Sequence, residues 1–259
     1  MEKLTTKILP LVIATALVAI STPALAGAGF RLNSKSPVPR MLPTPRPSFD
    51  NYVFGYGGFV FGSSWNTTGS WHGDPGDWAA HCPDPVDPNI DPTNVPINWE
   101  LDRGWTFGGG LGKYSDLFGG SRFELEGTYL SNSTNSVNYA GMDLSSNFDI
   151  KTKAVLVNFL KEIPLGGATG YFGGGIGWAW TEMDGDIYTI QYSSTSSGFA
   201  WQLIAGIDFP ITESLSIFTQ YRYLVTDQAA FTTDFGDFTL RSHDNPASHS
   251  VLIGARVSY

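Results

Sequence analysis

Six charged residues stand in stretches that otherwise alternate polar with apolar side chains. They are three basic and three acidic residues: Arg122, Glu124, Glu126, Asp208, Arg222 and Arg256. Alternate residues of an extended chain point to the same face, so we expect these charges to share one inner face. Because a buried charge is costly unless it is paired, the sequence predicts an acid and arginine network inside the fold. Such a network can serve as core packing or as the gate of a selective pore.

A second set of residue types suited to catalysis lies close to the end of the chain. These candidates are His243, Asp244, His249 and Ser250. His249 and Ser250 are adjacent, and adjacent residues on a strand point to opposite faces, which prevents their acting as base and nucleophile. The sequence therefore predicts no enzymatic activity and no catalytic residue.

An acidic segment in the first half of the chain raises the question of a metal site. Its acidic residues are Asp74, Asp77, Asp84, Asp87, Asp91, Glu100 and Asp102. Calcium binding is an open alternative, but the repeated Asp-Pro pairs are turn formers and the segment lacks the glycine and terminal Glu of an EF loop. A zinc site at His72, His81 and Cys82 lacks a recognised ligand spacing. The glycine runs at Gly108 and Gly173 do not complete a dinucleotide fingerprint, so no metal and no cofactor are predicted.

Composition narrows the class of protein. The 259 residues are 42% hydrophobic and 15% charged, and they include 30 Gly, 8 Trp, 11 Tyr, 17 Phe and a single Cys. One Cys forms no internal disulfide, and a net charge of −9 argues against nucleic acid as a partner. Abundant aromatic residues and sparse Glu, Lys and Leu favour strands over helices.

The N-terminal residues 1–26 are predicted to be a secretory signal peptide. Lys3 and Lys7 precede a mostly apolar run over residues 8–20, and Ala24-Leu25-Ala26 is a small-residue cleavage pattern. The alternative, a transmembrane anchor, is less favoured because the run is shorter than the ~20 residues that a spanning helix needs. Residues 27–50, with five prolines among basic residues, predict an extended periplasmic linker.

Period-two alternation from residue 51 onward predicts an all-β protein. The clearest run places Phe123, Leu125 and Tyr129 on one face and charged or polar residues on the other. We predict eight strands, at residues 52–62, 105–114, 122–129, 151–161, 171–181, 199–209, 215–223 and 250–259.

The predicted connections alternate in length. The short ones are residues 115–120, 162–170 and 210–214, and the long ones are residues 63–104, 131–150, 182–197 and 226–247. Short turns at one end, long loops at the other and an even strand number are typical of an outer-membrane barrel. The fold predicted for residues 51–259 is an eight-stranded antiparallel up-and-down transmembrane β-barrel.

Two barrels could carry these strands: a soluble carrier barrel with its apolar face inside, and a membrane barrel with its apolar face outside. In residues 171–181, Gly173, Gly175 and Ala179 share one face, and Trp178 and Trp180 lie on the other. Eight strands enclose an interior just wide enough for side chains, so the small residues suit the interior and the tryptophans suit lipid. We therefore favour the membrane barrel, and with it core packing as the role of the charged network.

Several stretches resemble a known group of proteins. They are Leu156-Val157-Asn158-Phe159, Pro164-Leu165-Gly166, residues 171–177, residues 198–202, Tyr221-Arg222-Tyr223-Leu224 and residues 248–254. Over about residues 51–259 the sequence resembles the small outer-membrane barrels of the OmpA-like and opacity-type surface-antigen families. It departs from OmpA proper in lacking a C-terminal peptidoglycan-binding domain, so an envelope-tethering role is not expected.

The resemblance implies a location in the outer membrane of a Gram-negative-type envelope, with membrane lipid as a partner. It implies a non-enzymatic, surface-exposed structural or interaction role, opacity or adhesin-like, with loops that meet a host or cell-surface ligand. A small passive diffusion porin for polar solutes is the alternative, because the families include narrow pores.

The last strand carries a further expectation about biogenesis. It alternates apolar residues through Val257 and ends on the aromatic Tyr259, which resembles the C-terminal signal read by the barrel-assembly machinery. Tyr259 stands where that signal most often has Phe. We predict that Val257 and Tyr259 act as the assembly signal and that this machinery is a partner during biogenesis.

Overall fold

The computed structural model describes residues 50–61, 63–73, 91, 93–101, 103–139, 142–187, 190–227, 232–234, 238–242 and 245–259. The strands are β1 (Asn51–Phe61), β2 (Ser63–Trp71), β3 (Val95–Leu101), β4 (Gly104–Ser115), β5 (Ser121–Tyr139), β6 (Met142–Pro164), β7 (Thr169–Ile187), β8 (Ile190–Pro210), β9 (Leu215–Thr226), β10 (Thr232–Asp234), β11 (Phe238–Ser242) and β12 (Ala247–Ser258). A 3-10 turn at Leu117–Gly119 joins β4 to β5. Among these residues no helix is both long and apolar enough to cross a membrane. The predicted signal peptide lies outside the described residues, as does the predicted linker up to residue 49.

Eight of the strands form a closed antiparallel barrel, as the alternation predicted. Each pairs with its neighbours in the circular order β1, β4, β5, β6, β7, β8, β9, β12. The barrel closes between β1 and β12, with the register running from Tyr52↔Ser258 to Phe61↔His249. Every one of these eight strands therefore has a partner on both sides.

Strand pairing continues beyond one end of the barrel into what we call the outer tier. It consists of β2, β3, β10 and β11 together with residues 132–139 of β5, 142–150 of β6, 182–187 of β7 and 190–199 of β8. The β5–β6 ladder runs to Tyr139↔Met142, and the β7–β8 ladder runs to Ile187↔Ile190. The strand order in this tier is β10, β11, β2, β3, β5, β6, β7, β8.

The prediction that residues 63–104, 131–150, 182–197 and 226–247 form long loops without strands is wrong. Part of each segment is strand in the structure. The cause is compositional: residues 193–197 of β8, for example, are all Ser or Thr. A strand with polar residues on both faces has no period-two apolar signal, although its backbone hydrogen bonds are complete on the paired side.

Side chains alternate across the barrel wall in the predicted sense. On β7, Phe172, Ile176 and Trp178 are exposed outward, whereas Ala179 is buried inside. Gly175 also faces inward, where a Cβ would come within 1.9 Å of the Asn158 side-chain oxygen. A larger residue at this position would therefore force the Asn158 side chain to move.

The outward face carries a continuous apolar band. Along β6 its outward residues between Lys161 and Lys153 are Phe159, Val157 and Val155. This interval matches the roughly 9–11 residues of a membrane-spanning strand. Rings of Trp105, Phe107 and Tyr129 stack on one another outside β4 and β5, with centroids 5.3–5.4 Å apart.

Candidate functional site in the barrel interior

The end of the barrel that carries the short turns contains the first charged network. Arg122, which is 0% exposed, donates from Nη1 to Asp208 Oδ2 at 2.8 Å and to Glu162 Oε1 at 3.3 Å. Arg256 also donates to Asp208, and its Nη2 lies 3.5 Å from Glu124 Oε1. The Nε of Arg122 lies 3.3 Å from the same Glu124 oxygen. Two guanidinium groups therefore share two buried carboxylates from different strands.

Aromatic rings fill the space around this network. The Tyr52 hydroxyl donates to Glu124 Oε1 at 2.8 Å. The guanidinium carbon of Arg122 lies 4.0 Å from the centroid of the Tyr171 ring, and that of Arg256 lies 4.8 Å from Tyr52 and 5.1 Å from Phe218. These distances fall within the cation–π range of about 6 Å, so the arginines are held by ring faces as well as by carboxylates.

A second network lies further from the short turns and is centred on Glu126, two residues beyond Glu124 on β5. One carboxylate oxygen of Glu126 accepts from Arg222 and from the Tyr56 hydroxyl. The other accepts from Asn158 Nδ2 at 2.6 Å and from Gln202 Nε2 at 2.9 Å. Arg222 also donates to the Tyr56 hydroxyl at 2.9 Å. Glu126 is thus bound by donors from four other strands, β1, β6, β8 and β9.

An apolar layer lies between the Glu126 network and the outer tier. Its members are buried side chains that contact one another: Val60, Leu130, Ala154, Leu156, Ala179, Ala200 and Leu224. Leu130 follows Glu126 along β5, and Leu224 follows Arg222 along β9. Leu156 and Leu224 are 0% and 1% exposed. The interior therefore changes from charged to apolar along the barrel.

The arrangement brings all six predicted charged residues into the interior, but it divides them between the two networks. Arg122, Glu124, Asp208 and Arg256 belong to the first, and Glu126 and Arg222 belong to the second. Several arginine nitrogens and the Ser250 hydroxyl are buried without a hydrogen-bond partner. The network can link strands and neutralise charge, and the role assigned to these residues stays a prediction.

Sequence reasoning missed the uncharged partners. They are Tyr52, Tyr56, Asn158, Tyr171 and Gln202. Asn158 alternates with the buried residues Leu156 and Leu160, so its position in the period-two pattern could have predicted that its side chain points inward. Tyr52 and Tyr56 alternate with apolar residues, and that pattern does not tell an inward from an outward tyrosine.

The candidate catalytic residues are not brought together. Ser250 is buried inside the barrel, whereas His249 lies on the outer face, with its Nδ1 2.6 Å from the Tyr221 hydroxyl and its ring 4.9 Å from that of Tyr223. His243 and Asp244 lie outside the described residues. The two described residues therefore cannot form a base–nucleophile pair.

Most of the acidic segment lies outside the described residues, including Asp74, Asp77, Asp84, Asp87, Asp102, His81 and Cys82. The Asp91 carboxylate accepts from Thr93 Oγ1 at 2.7 Å and from the Thr93 backbone N–H at 2.9 Å. These hydrogen bonds hold the pKa of Asp91 below its ordinary value and fit a turn. In the described part of the chain, no group of three or more His, Cys, Asp or Glu residues could hold a metal ion.

The C-terminal strand is fully paired in the folded barrel. Val257 and Tyr259 both point outward and are exposed. The Tyr259 backbone N–H donates to the Asn51 carbonyl at 2.9 Å, and that of Ser258 donates to the Ser214 carbonyl at 2.8 Å. A receptor that pairs with this strand would therefore have to act before the barrel closes.

Comparisons with known proteins agree with this architecture. The family model described as "Outer membrane protein beta-barrel domain" matches residues 48–256. The comparison with curated proteins found no match.

The solved structures to which the chain is similar are distant in sequence. The chain is similar to the outer membrane protein OprG from Pseudomonas aeruginosa, with 14% identity and a TM-score of 0.50 over 83% of this chain and 98% of that one. It is similar to the attachment invasion locus protein Ail of Yersinia pestis, with 12% identity and a TM-score of 0.36 over 80% and 99%. It is also similar to the outer membrane protease OmpT from Escherichia coli, with 7% identity and a TM-score of 0.45 over 82% and 97%. At these identities, only the likeness to OprG bears on the argument, and it is evidence for the fold alone.

Proposed function

The chain belongs to the outer membrane protein β-barrel domain family, and from this premise we propose that it is a non-enzymatic surface protein of the outer membrane. In this proposal the barrel anchors the chain in lipid, its interior is filled with side chains, and the outer tier performs a structural or interaction role of the opacity or adhesin-like kind.

The filled interior is the observation that carries this proposal. Two charged networks and an apolar layer succeed one another along the barrel, and the largest fully buried side chains include Arg122, Arg222, Arg256 and Leu156. An ion crossing the barrel would have to displace paired charges and then pass a layer of closely packed apolar side chains. Both steps are costly.

The exposed architecture supports an interaction role. The outer tier adds four strands to the barrel and lengthens four others beyond the apolar band. Anchoring in lipid does not require ordered strands outside the membrane, whereas binding residues are commonly positioned by a rigid scaffold.

The absence of an enzymatic role is part of the same proposal. The described candidates His249 and Ser250 lie on opposite sides of the wall. Each carboxylate among the six charged residues of the interior lies within ion-pair distance of an arginine, which leaves no free general base among them.

Conductance across a planar lipid bilayer tests the proposal. The refolded protein is expected to give no reproducible unitary conductance. The alternative, a passive diffusion porin for polar solutes, is favoured by one observation, the buried arginine nitrogens and Ser250 hydroxyl that lack partners and could be hydrated. Reproducible unitary steps at neutral pH would replace the filled-barrel proposal with the porin.

Biogenesis belongs to this proposal as well. We infer that the barrel-assembly machinery captures the last strand before closure, and that Val257 and Tyr259 are read as its outward apolar signal. Strand addition to the free edge of β12 would supply the contact.

A further inference from the structure

The turn between β4 and β5, at the short-turn end of the barrel, holds a large aromatic residue in a strained backbone conformation. Phe118 has φ 55° and ψ 27°, and it is followed by Gly119 at φ 74° and Gly120 at φ 109°. A positive φ is ordinary for Gly and costly for a bulky residue. Glycine therefore occupies two of these three positions, and Phe118 occupies the third against its local preference.

Hydrogen bonds fix this turn without burying the Phe118 side chain. The Lys161 ammonium on β6 donates to the Phe118 carbonyl and, at 3.0 Å, to the Gly120 carbonyl. These bonds are made to the backbone, so they would form equally with Gly or Asn at position 118. What phenylalanine adds is a ring on a residue that is 79% exposed. Because strain of this kind persists where it serves a function, we look for that function in a contact outside the chain.

The exposed ring continues the lipid-facing surface of the barrel. Its centroid lies 6.1 Å from that of Phe159, edge to face, and the Phe159 centroid lies 5.1 Å from that of Phe123. Phe123 and Phe159 face each other in the β5–β6 ladder, and Phe159 belongs to the apolar band. We call Phe118, Phe123 and Phe159 the Phe118 cluster. The apolar band thus extends past the ends of the strands onto the turn.

Two lysines flank the Phe118 cluster. Lys113 is exposed, lies opposite Phe123 in the β4–β5 ladder and makes no ion pair with another residue in the described part of the chain. Lys161 follows Phe159 by two residues on the same outward face, and the turn carbonyls use two of its three N–H donors. Cations beside an apolar surface match a molecule in which a phosphate adjoins hydrocarbon chains.

We propose that the Phe118 cluster, Lys113 and Lys161 bind an anionic phospholipid of the periplasmic leaflet. The short turns of outer-membrane barrels lie on the periplasmic side. There the rings contact the acyl chains, and the lysines contact the headgroup phosphate, since basic side chains at a membrane surface attract anionic lipid. The inference goes beyond the proposed function, which concerns the barrel interior and the outer tier, and beyond general solvation by lipid, because it assigns a preferred headgroup to one place.

A second copy of this chain fits the same surface less well. A symmetric interface uses the same patch on both copies, so it would bring Lys113 and Lys161 of one copy near those of the other. An anionic headgroup avoids this repulsion and neutralises both lysines. Charge therefore favours lipid as the occupant.

The test measures lipid binding by native mass spectrometry. The refolded protein in detergent is titrated with phosphatidylglycerol, which is anionic, or with phosphatidylcholine of the same acyl chains, which has no net charge. We expect phosphatidylglycerol to bind roughly fivefold more tightly for each lysine that contacts the headgroup. Equal affinity for the two lipids would overturn the proposal.

Lysine variants locate the headgroup. Lys113→Gln should reduce the preference for phosphatidylglycerol roughly fivefold and leave the affinity for phosphatidylcholine unchanged. Detergent gives lipid access to both ends of the barrel, so the control is Lys153→Gln, which changes an exposed lysine at the other end of the apolar band. An effect of Lys153→Gln as large as that of Lys113→Gln would place the headgroup elsewhere and overturn the proposal.

Phe118→Asn tests the ring. Asn tolerates a positive φ, so this variant keeps the turn, relieves its strain and removes the aromatic surface. We expect weaker binding of both lipids and an unfolding midpoint in lipid-free detergent no lower than that of the unmodified protein. Ile211→Asn, which changes a residue that is 57% exposed between β8 and β9, is the control and should leave lipid binding unchanged.

Three results with Phe118→Asn would overturn the proposal. A lower unfolding midpoint would assign the ring a structural role. Unchanged lipid binding would place the ring outside the site. Dimers of the unmodified protein that are lost in the variant would show that a second copy covers the ring instead of lipid.

Discussion

The barrel and the outer tier are continuous strands of one chain, yet they are built by different rules. In the barrel every strand has two partners, the outward face is apolar and the inward face holds paired charges. In the described part of the outer tier the strand order is open, and the exposed side chains of residues 193–197 on β8 are Ser and Thr. The difference follows from the solvent. Lipid cannot hydrogen-bond a free strand edge, so closure is obligatory within the membrane, whereas water satisfies an open edge outside it.

The largest expected effect separates a buried from an exposed ion pair. Arg222→Ala removes the partner of Glu126, which is 1% exposed, and we expect the free energy of unfolding to fall by about 3–5 kcal/mol. Lys153→Ala breaks the Lys153–Glu182 pair, in which the nitrogen and oxygen lie 2.7 Å apart and the lysine side chain is 53% exposed. This change should lower the free energy of unfolding far less, because solvent screens an exposed ion pair. Urea unfolding in lipid vesicles, followed by tryptophan fluorescence, measures both. Equal losses would show that Arg222 is not held in a buried network.

An intermediate effect is expected from one added methyl group inside the barrel. In Gly175→Ala the new Cβ would meet the Asn158 side-chain oxygen at 1.9 Å, which forces the Glu126 network to shift at a cost of about 1–3 kcal/mol. Gly167→Ala is the matched control, because a Cβ there meets nothing within 4 Å. The same unfolding measurement applies. A Gly175→Ala barrel as stable as the control would mean that the interior is loosely packed.

The contrast between the two regions also explains what the sequence could predict. Phe123, Leu125 and Tyr129 alternate with charged residues because lipid and a crowded interior lie on opposite sides of β5. The sequence therefore predicted the barrel strands and the inward direction of the Arg122 and Glu126 side chains. The outer-tier part of β8 has water on both faces and no such signal. The division of the charges into two networks depends on which side chains meet across the interior. Predicting those contacts requires the register of the paired strands, which the sequence pattern does not supply.

Uncharged partners were missed for a related reason. Tyr56 and Gln202 are uncharged, so their burial does not by itself require a charged partner. Nothing in their own strands therefore identifies them as hydrogen-bond donors to Glu126. Their role depends on the convergence of β1, β5 and β8 inside the closed barrel. Long-range contacts of this kind leave no local pattern.

A smaller effect on the folded barrel is expected from deleting Tyr259. Its backbone N–H donates to Asn51 at the closure of the barrel, and loss of one such bond costs about 1 kcal/mol. Insertion in cells should nevertheless fall far more than refolding in detergent, since only the cell requires recognition of the terminal strand. Quantifying outer-membrane protein against the full-length level tests this, with Tyr259→Phe as the control that keeps the aromatic ring. Full-length levels of the truncated protein would rule out the assembly role.

The smallest effect is expected from shortening the outer tier itself. Replacing residues 185–192 by Asn-Gly joins Asp184 to Ser193, which face each other in the β7–β8 ladder, through a two-residue turn suited to a hairpin. Because these residues lie beyond the apolar band and a shorter connection costs less entropy to close, the free energy of unfolding should change by no more than about 1 kcal/mol. A loss as large as that of Arg222→Ala would mean that the two tiers unfold as one cooperative unit. An unchanged value would place the stability of the protein in the closed barrel and leave the outer tier free to vary with its binding role, because strands outside the membrane contribute few of the buried contacts that hold the barrel together.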